Sequence, residues 1–197
     1  LLDKTPQFLK NIFSFGDSAV AFFFILSGFI LAYVYTNNDD KLKTTKTTFW
    51  WARFSRLYPV YILALIMDLP RGLSYFFSKY DFGAALFKTI VSLIAYMTML
   101  QSWHPRLTPA WNSPAWSLSV EAFFYLLFPI VLYFILNRRT YWKSLLVFYL
   151  IPILLYFIIS KGFHLDFNNS IGGTFWRSFP LLRVSEFIIG VILGKAY

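Results

Sequence analysis

The sequence contains no cysteine, only two histidines and few charged residues, and each shortage excludes a class of function. Without cysteine, this chain has no disulfide, no thiol nucleophile and no thiolate metal ligand. His104 and His164 are too few and too far apart in sequence to suggest a metal site. Charged residues make up 14% of the 197 residues, whereas 58% are hydrophobic and 22% are aromatic. With a mean hydropathy of +0.57, this composition is typical of a multi-pass membrane protein.

Acidic residues are also scarce, with nine against 18 Lys and Arg, so the net charge is +9. A nucleic-acid partner is rejected because the basic residues lie mainly beside apolar runs, as the positive-inside rule expects. We therefore expect a lipid bilayer as the partner and a cell membrane, the bacterial cytoplasmic membrane, as the location. The sequence shows no initiator Met and no signal-peptide pattern, so we interpret residues 1–197 as one partial domain of a longer chain.

Apolar runs predict an all-α transmembrane bundle with about five or six membrane helices. Small residues at Ser27 and Gly28 predict close contact between helices. The mixed stretch 70–81 is predicted to lie along the membrane surface, and 160–179 to be a polar loop. The predicted helices are 18–35, 49–69, 82–103, 116–136, 144–159 and 180–197.

A single carboxylate, Glu121, lies within the apolar run 116–136. Ser117 is four residues earlier, so the two side chains share one helix face. Ser113 suits the cap of this helix and Pro114 its first turn. An ionisable group in an apolar helix is costly, so Glu121 should face a protein interior or a wet cavity. A structural Glu121 paired with an arginine of a neighbouring helix is the alternative.

The basic residues predict which side of the membrane each helix end occupies. Arg53 and Arg56 share a helix face and follow several lysines, so this end of the helix is predicted to be cytoplasmic. The alternative to a binding role is that the two arginines only set the topology and contact lipid headgroups. Basic residues at 138–143 place the end of the Glu121 helix in the cytoplasm too. Glu121, Arg183 and Glu186 would then cluster toward the outer side, the last two as a local ion pair. A conflict remains: if helices 49–69 and 82–103 both cross, the loop 104–114 falls inside.

Four segments together resemble one family, the membrane-bound acyltransferases called acyltransferase family three. They occur in the family's order, and the set is more specific than any single motif. The segments are Phe22-Phe-Phe-Ile-Leu-Ser-Gly-Phe29, Arg53-Phe-Ser-Arg-Leu-Tyr-Pro59, Trp116-Ser-Leu-Ser-Val-Glu-Ala-Phe-Phe-Tyr-Leu-Leu-Phe-Pro129 and Leu182-Arg-Val-Ser-Glu-Phe-Ile-Ile-Gly190.

The resemblance implies an enzyme that transfers an acyl group, commonly acetyl, from cytoplasmic acyl-CoA to a hydroxyl of a cell-surface glycan or related acceptor. Arginine binds phosphate with bidentate geometry, so Arg53 and Arg56 would contact the phosphates of the acyl-CoA donor. Glu121 and Ser117 are the candidate catalytic residues. The candidate acceptor-binding residues are Trp116, Arg183 and Glu186.

The resemblance also implies a catalytic His on the family's first membrane helix, which this sequence is expected to lack. Neither His104 nor His164 matches that position, so this fragment is expected to be inactive alone. We predict one pocket, with Arg53 and Arg56 at its cytoplasmic end and Glu121 and Arg183 at its acceptor end. A transporter or flippase for a lipid-linked sugar is the alternative function, because it would use buried charges equally well.

Overall fold

The computed structural model describes residues 16–37, 41–108, 110–133, 150, 153–155, 157–158, 161 and 170–197, and these are almost entirely helical. An isolated antiparallel bridge joins Thr36 and Leu42. The predicted all-α architecture is thus confirmed for this part of the chain; the predicted helix 144–159 lies mostly outside it. The main helices are α1 (Gly16–Tyr35), α2 (Lys46–Lys79), α3 (Phe82–Met97), α4 (Trp116–Val131), α5 (Ser170–Ser178) and α6 (Val184–Ala196).

Two of the described helices, α1 and α2, are long and apolar enough to cross a membrane. The apolar helices α3 and α4 have 16 residues each, which falls short of the ~20 needed for a full crossing. Many large apolar side chains on α1, α2 and α3 are exposed, including Val60 at 69% and Met67 at 76%. Such a surface suits lipid rather than water. The predicted number of five or six crossings is not established.

Helix α2 continues well beyond its predicted end. The stretch 70–81 was predicted to lie along the surface, but residues through Lys79 belong to the same 34-residue helix, with Pro59 and Pro70 inside it. Its second half is fixed by packing, because the ring of Trp111 lies where a side chain on Gly72 would otherwise be. At about 1.5 Å per residue, α2 is roughly 51 Å long. It is therefore longer than the ~30 Å hydrocarbon layer.

Helices α3 and α4 together run back along the length of α2. Near the end of α3, the Tyr61 hydroxyl donates to the Tyr96 carbonyl at 2.7 Å. Near the end of α4, Phe128 packs against Phe49 at the beginning of α2, with ring centroids 5.3 Å apart. Both helices therefore run in the direction opposite to α2, one after the other. Neither α3 nor α4 alone therefore returns along the whole of α2.

The segment between α3 and α4 folds back into the bundle instead of forming a simple outer loop. Trp111 is fully buried, and its indole Nε1 donates to the Ser92 hydroxyl of α3 at 2.8 Å. Side chains satisfy carbonyls at the break: Ser119 donates to Met99 at 2.5 Å and Gln101 to Ala115 at 3.1 Å. Backbone groups at membrane depth need such internal partners.

Helices α1 and α6 are in backbone contact through glycines. A Cβ on Gly28 would lie 2.2 Å from the Phe187 carbonyl oxygen, and one on Gly190 would lie 1.9 Å from that of Ile25. Gly194 makes the same kind of contact with Phe29. The predicted close helix contact at Gly28 is confirmed. It places α1 and α6 side by side and parallel, and Phe124 of α4 packs on both, against Phe24 of α1 and Phe187 of α6.

The stretch 160–179 was predicted to be a polar loop, and this is wrong for its described second half. Residues Ser170–Ser178 form helix α5. Phe175 is buried and packs against Phe179, with ring centroids 4.7 Å apart. The two aromatic residues belong to a small buried apolar cluster. The sequence did not indicate this cluster, because the segment also contains glycines and serines. A turn at Pro180–Leu182 then leads into α6.

Candidate functional site

A cavity of about 440 Å³ between α1, α2 and α4 brings Arg53, Arg56 and Glu121 together. This volume is within the usual range for small-molecule sites. The cavity is open on the side between α1 and α2, where Phe23 and Val60 remain exposed. The other lining residues are Leu26, Ser27, Ile30, Leu31, Leu57, Tyr61, Ala64, Asn112, Leu118 and Tyr125.

Helix α4 directs Glu121 into this cavity. The helix is preceded by a 3-10 turn at Ser113–Ala115, and its cap is Ala115 without a side-chain hydrogen bond. The predicted capping by Ser113 and helical start at Pro114 are therefore wrong. Glu121 is buried, and its Oε1 accepts a hydrogen bond from the hydroxyl of Tyr125, one turn later. This bond fixes the carboxylate against the cavity wall.

Arg53 is held in place by aromatic side chains but keeps unused donors. Its Nη2 donates to the hydroxyl of Tyr35, and its guanidinium lies 4.8 Å from the centre of that ring. Its Nε is buried and has no hydrogen-bond partner in the part of the chain that the structure describes. A buried donor without a partner is costly, so a ligand that accepts from Arg53 Nε would relieve that cost.

The charged side chains at this cavity, Arg53, Arg56 and Glu121, do not form salt bridges with each other. Among the described residues, no ion pair within 4 Å joins Arg53 or Arg56 to Glu121. Arg56 is exposed on the same α2 face as Arg53. The cavity thus offers two cations and one carboxylate to a ligand between them. The alternative role, a structural Glu121 that pairs with an arginine of a neighbouring helix, would need a direct salt bridge, and none is formed among the described residues.

A second, more apolar cavity of about 460 Å³ lies on the other side of Arg53, Leu57 and Tyr125. Two hydrogen bonds hold its walls: Trp50 Nε1 donates to the Tyr125 carbonyl at 3.1 Å, and Tyr58 donates to the Met97 carbonyl at 3.0 Å. The three shared residues form the partition between the two cavities. The remaining lining residues are Thr47, Trp51, Phe54, Thr98, Met99, Ala122 and Leu126.

Ser117 and Trp116 do not line the Glu121 cavity, although the sequence placed Ser117 on the same face as Glu121. The Ser117 hydroxyl donates to the Pro114 carbonyl at 3.1 Å, so it is used in the first turn of α4. Trp116 packs edge-on against Phe24, with ring centroids 6.2 Å apart. Leu118 takes the cavity position expected for Ser117.

Arg183 and Glu186 form the predicted local ion pair, with Arg183 Nη1 2.7 Å from Glu186 Oε1. They are absent from the cavity that Glu121 lines, so the prediction of one shared pocket is wrong for this pair. Arg183 Nε donates to the Arg177 carbonyl at 2.8 Å, which ties the pair to α5. The parallel packing of α1 and α6 sets this arrangement, and it could not be read from charge spacing.

His104 does not line the cavity. His104 is in the segment after α3, where its Nδ1 accepts from the Arg106 backbone N–H at 3.3 Å. Partial burial and then the Arg106 charge lower the pKa of His104. His164 lies outside the described residues. The sequence prediction that neither residue occupies the family's catalytic position remains a prediction.

With the cavity described, comparison with known proteins identifies the family. A sequence model for the acyltransferase domain of family three matches residues 2–197. The chain belongs to this acyltransferase family. The resemblance predicted from four motifs is therefore confirmed.

Two curated relatives agree with this membership. An acyltransferase of Streptomyces mycarofaciens, MdmB, is 28% identical over 210 residues, which covers 94% of this chain and 48% of the relative. Protein 2 in the picA locus of Rhizobium radiobacter is 34% identical over 117 residues, covering 52% of this chain and 59% of the relative. The chain thus spans about half the length of the curated relatives it matches. No solved structure matches it significantly.

Proposed function

We propose that this acyltransferase is an integral membrane protein that moves an acyl group, acetyl in the simplest case, from acyl-CoA to a hydroxyl of a cell-surface glycan. The observation that carries the proposal is the cavity in which Arg53, Arg56 and Glu121 face a common space. Cations that can bind phosphate and a carboxylate that can bind a hydroxyl are the two kinds of group that this transfer requires.

On the donor side, Arg53 and Arg56 bind the phosphates of coenzyme A. Their planar guanidinium groups can donate two parallel hydrogen bonds to one phosphate. The unpartnered Nε of Arg53 supplies one of these donors. The apolar cavity behind Arg53, Leu57 and Tyr125 would hold the less polar arm of the donor.

On the acceptor side, Glu121 accepts a hydrogen bond from the hydroxyl that is to be acylated. The hydroxyl oxygen attacks the thioester carbonyl, the carbon–sulfur bond breaks, and the hydroxyl proton passes to a base. The family resemblance assigns that base to a His on a preceding helix. Glu121 would orient that imidazole or the acceptor.

The comparisons with known proteins do not support the alternative function, a transporter. It would explain why charges line an intramembrane cavity, but not membership of an acyltransferase family. A transporter would bind and move its sugar without consuming acyl-CoA. Release of free coenzyme A in step with acylated glycan would therefore distinguish the two functions.

The test uses the full-length protein in membranes, with acetyl-CoA as donor and mass spectrometry of the envelope glycans as readout. Arg53→Lys and Arg56→Lys should each raise the KM for acetyl-CoA by about tenfold or more, because lysine keeps the charge but cannot donate two parallel hydrogen bonds to one phosphate. Glu121→Gln should lower kcat by about 10²-fold or more. Arg177→Lys, outside the cavity, is the matched control and should transfer normally.

If all three cavity variants transferred acyl groups at the rate of the Arg177→Lys control, the cavity would not be the site. A loss in every variant, together with loss of membrane insertion, would point to misfolding. Insertion is therefore measured by membrane extraction on the same samples.

A further inference from the structure

A third cavity, of about 360 Å³, collects positive charge far from the Glu121 site. It lies between the second half of α2, helix α3 and the residues Arg106, Leu107 and Ala110. Arg71, Lys88 and Arg106 all line it. Arg71 is 18 residues after Arg53 on the same helix, so about 27 Å separates the two along the α2 axis. This cavity is therefore distinct from the proposed acyl-transfer site.

The charges around the third cavity are mostly uncompensated. Arg71 pairs with Asp68 at 2.6 Å and donates to the Trp111 carbonyl, which fixes its position. Within the described ranges, no carboxylate forms an ion pair with Lys88 or Arg106. Asp81 caps α3 and keeps its negative charge, so Asp68 and Asp81 offset only part of the charge of Arg71, Lys79, Lys88 and Arg106. The cavity thus retains an excess of positive charge.

Tyrosines complete a polar rim around this charge. Tyr75 and Tyr80 both line the cavity. The Lys88 ammonium lies 4.7 Å from the centre of the Tyr80 ring, a cation–π contact that holds it at the rim. Lys79 donates to the Tyr75 hydroxyl at 3.0 Å and adds a further positive charge beside the cavity. Cations with tyrosine hydroxyls suit an anionic, oxygen-rich group such as a phosphate.

One side of the cavity is apolar and continues onto the exposed surface of α3. Phe87 and Val91 belong to the lining, and Phe87 is 69% exposed. Other residues of the same helix with large exposed apolar side chains are Phe82, Leu86, Ile90 and Ile94. A free phosphate would need no such surface, whereas the chains of a lipid would lie along it.

We propose that this cavity binds the phosphate headgroup of an anionic membrane lipid, with the lipid's chains against the exposed face of α3. The cations near the headgroup attract it, and the tyrosines supply hydroxyl donors at the membrane interface. The site would hold one lipid at a fixed position beside α2. It takes part in no chemical step of acyl transfer.

The experiment measures lipid binding by native mass spectrometry of the full-length protein in detergent, with phosphatidylglycerol or phosphatidylcholine added. The wild type should retain one phosphatidylglycerol and no phosphatidylcholine. Lys88→Gln with Arg106→Gln should weaken phosphatidylglycerol binding roughly thirtyfold. Lys43→Gln with Lys46→Gln removes the same charge from exposed positions at the other end of α2 and should bind as the wild type does.

A second pair of variants separates lost charge from lost folding. Lys88→Arg with Arg106→Lys keeps both charges and should retain the lipid within about threefold of the wild type. Retention of phosphatidylglycerol by the Gln pair would overturn the proposal. Equal loss in the Lys43 and Lys46 control would do so too, since it would show diffuse surface attraction. Displacement of the lipid by equimolar glycerol 3-phosphate would show that the site takes a soluble phosphate instead.

Discussion

The glycine contact between α1 and α6 gives the sharpest quantitative prediction. A methyl group at position 190 would stand 1.9 Å from the Ile25 carbonyl oxygen, and backbone cannot rotate out of the way. Restoring an ordinary contact near 3.4 Å requires the helices to separate by roughly 1.5 Å. Overpacking of this kind typically costs about 1–3 kcal/mol, and the rigid backbone partner places Gly190→Ala at about 3 kcal/mol.

The assay is thermal unfolding of the purified full-length protein in detergent. A loss of about 3 kcal/mol lowers Tm by roughly 6–12 °C in a domain of 150–250 residues, so a fall of several degrees is expected. Gly83→Ala is the matched control, because a methyl there meets only the Asp81 carboxylate at 3.7 Å. That control should be neutral or slightly stabilising, since alanine restricts the unfolded chain.

Gly190→Ala should also alter the proposed acyl-transfer site. Helix α1 contributes Ser27 and Leu31 to the wall of the Glu121 cavity, so moving α1 away from α6 reshapes that wall. Gly190→Ala should therefore reduce acyl transfer even below its melting temperature. A Tm within about 2 °C of the wild type would refute the reasoning, because it would mean that the two helices separate at no cost.

Three further predictions use other contacts. Gly72→Ala should lower Tm by a similar amount, because its Cβ would lie 2.1 Å from the Trp111 ring. Tyr125→Phe removes the hydroxyl that donates to Glu121 and should lower kcat by about tenfold, with a fall in Tm of a few degrees because the buried carboxylate loses a donor, whereas an unaffected kcat would separate this bond from catalysis. Asp81→Ala removes the cap of α3 and should cost about 1 kcal/mol by thermal unfolding, with Asp81→Asn as a control that retains the cap.

The parts of the structure that sequence could predict follow from the cost of placing charge in an apolar helix. Glu121 had to face a polar interior, and the structure places it at a cavity with Arg53 and Arg56. The close approach at Gly28 was predicted from small residues on a membrane helix. The spacing of Gly190 and Gly194 carries the same signal, and it could have identified α6 as the partner.

Other features depend on packing that hydropathy cannot report. The mixed composition of 70–81 suggested a surface segment, but the burial of Trp111 against Gly72 keeps α2 helical through Lys79. Ser117 was expected beside Glu121, yet its hydroxyl is used by the preceding turn. Hydropathy also does not report the direction of a helix. The antiparallel course of α3 and then α4 along α2 could therefore not be predicted.

The buried segment between α3 and α4 changes how labelling experiments on this protein should be interpreted. Thr108 is fully buried, its hydroxyl donates to the Gln101 carbonyl, and its own carbonyl accepts from Tyr96. The chain has no cysteine, so single cysteines can be introduced one at a time. A cysteine at position 108 would stay unlabelled from both sides of the membrane, whereas one at Lys43 would react. An introduced cysteine in this segment that is not labelled therefore indicates burial. It does not show on which side of the membrane the segment lies.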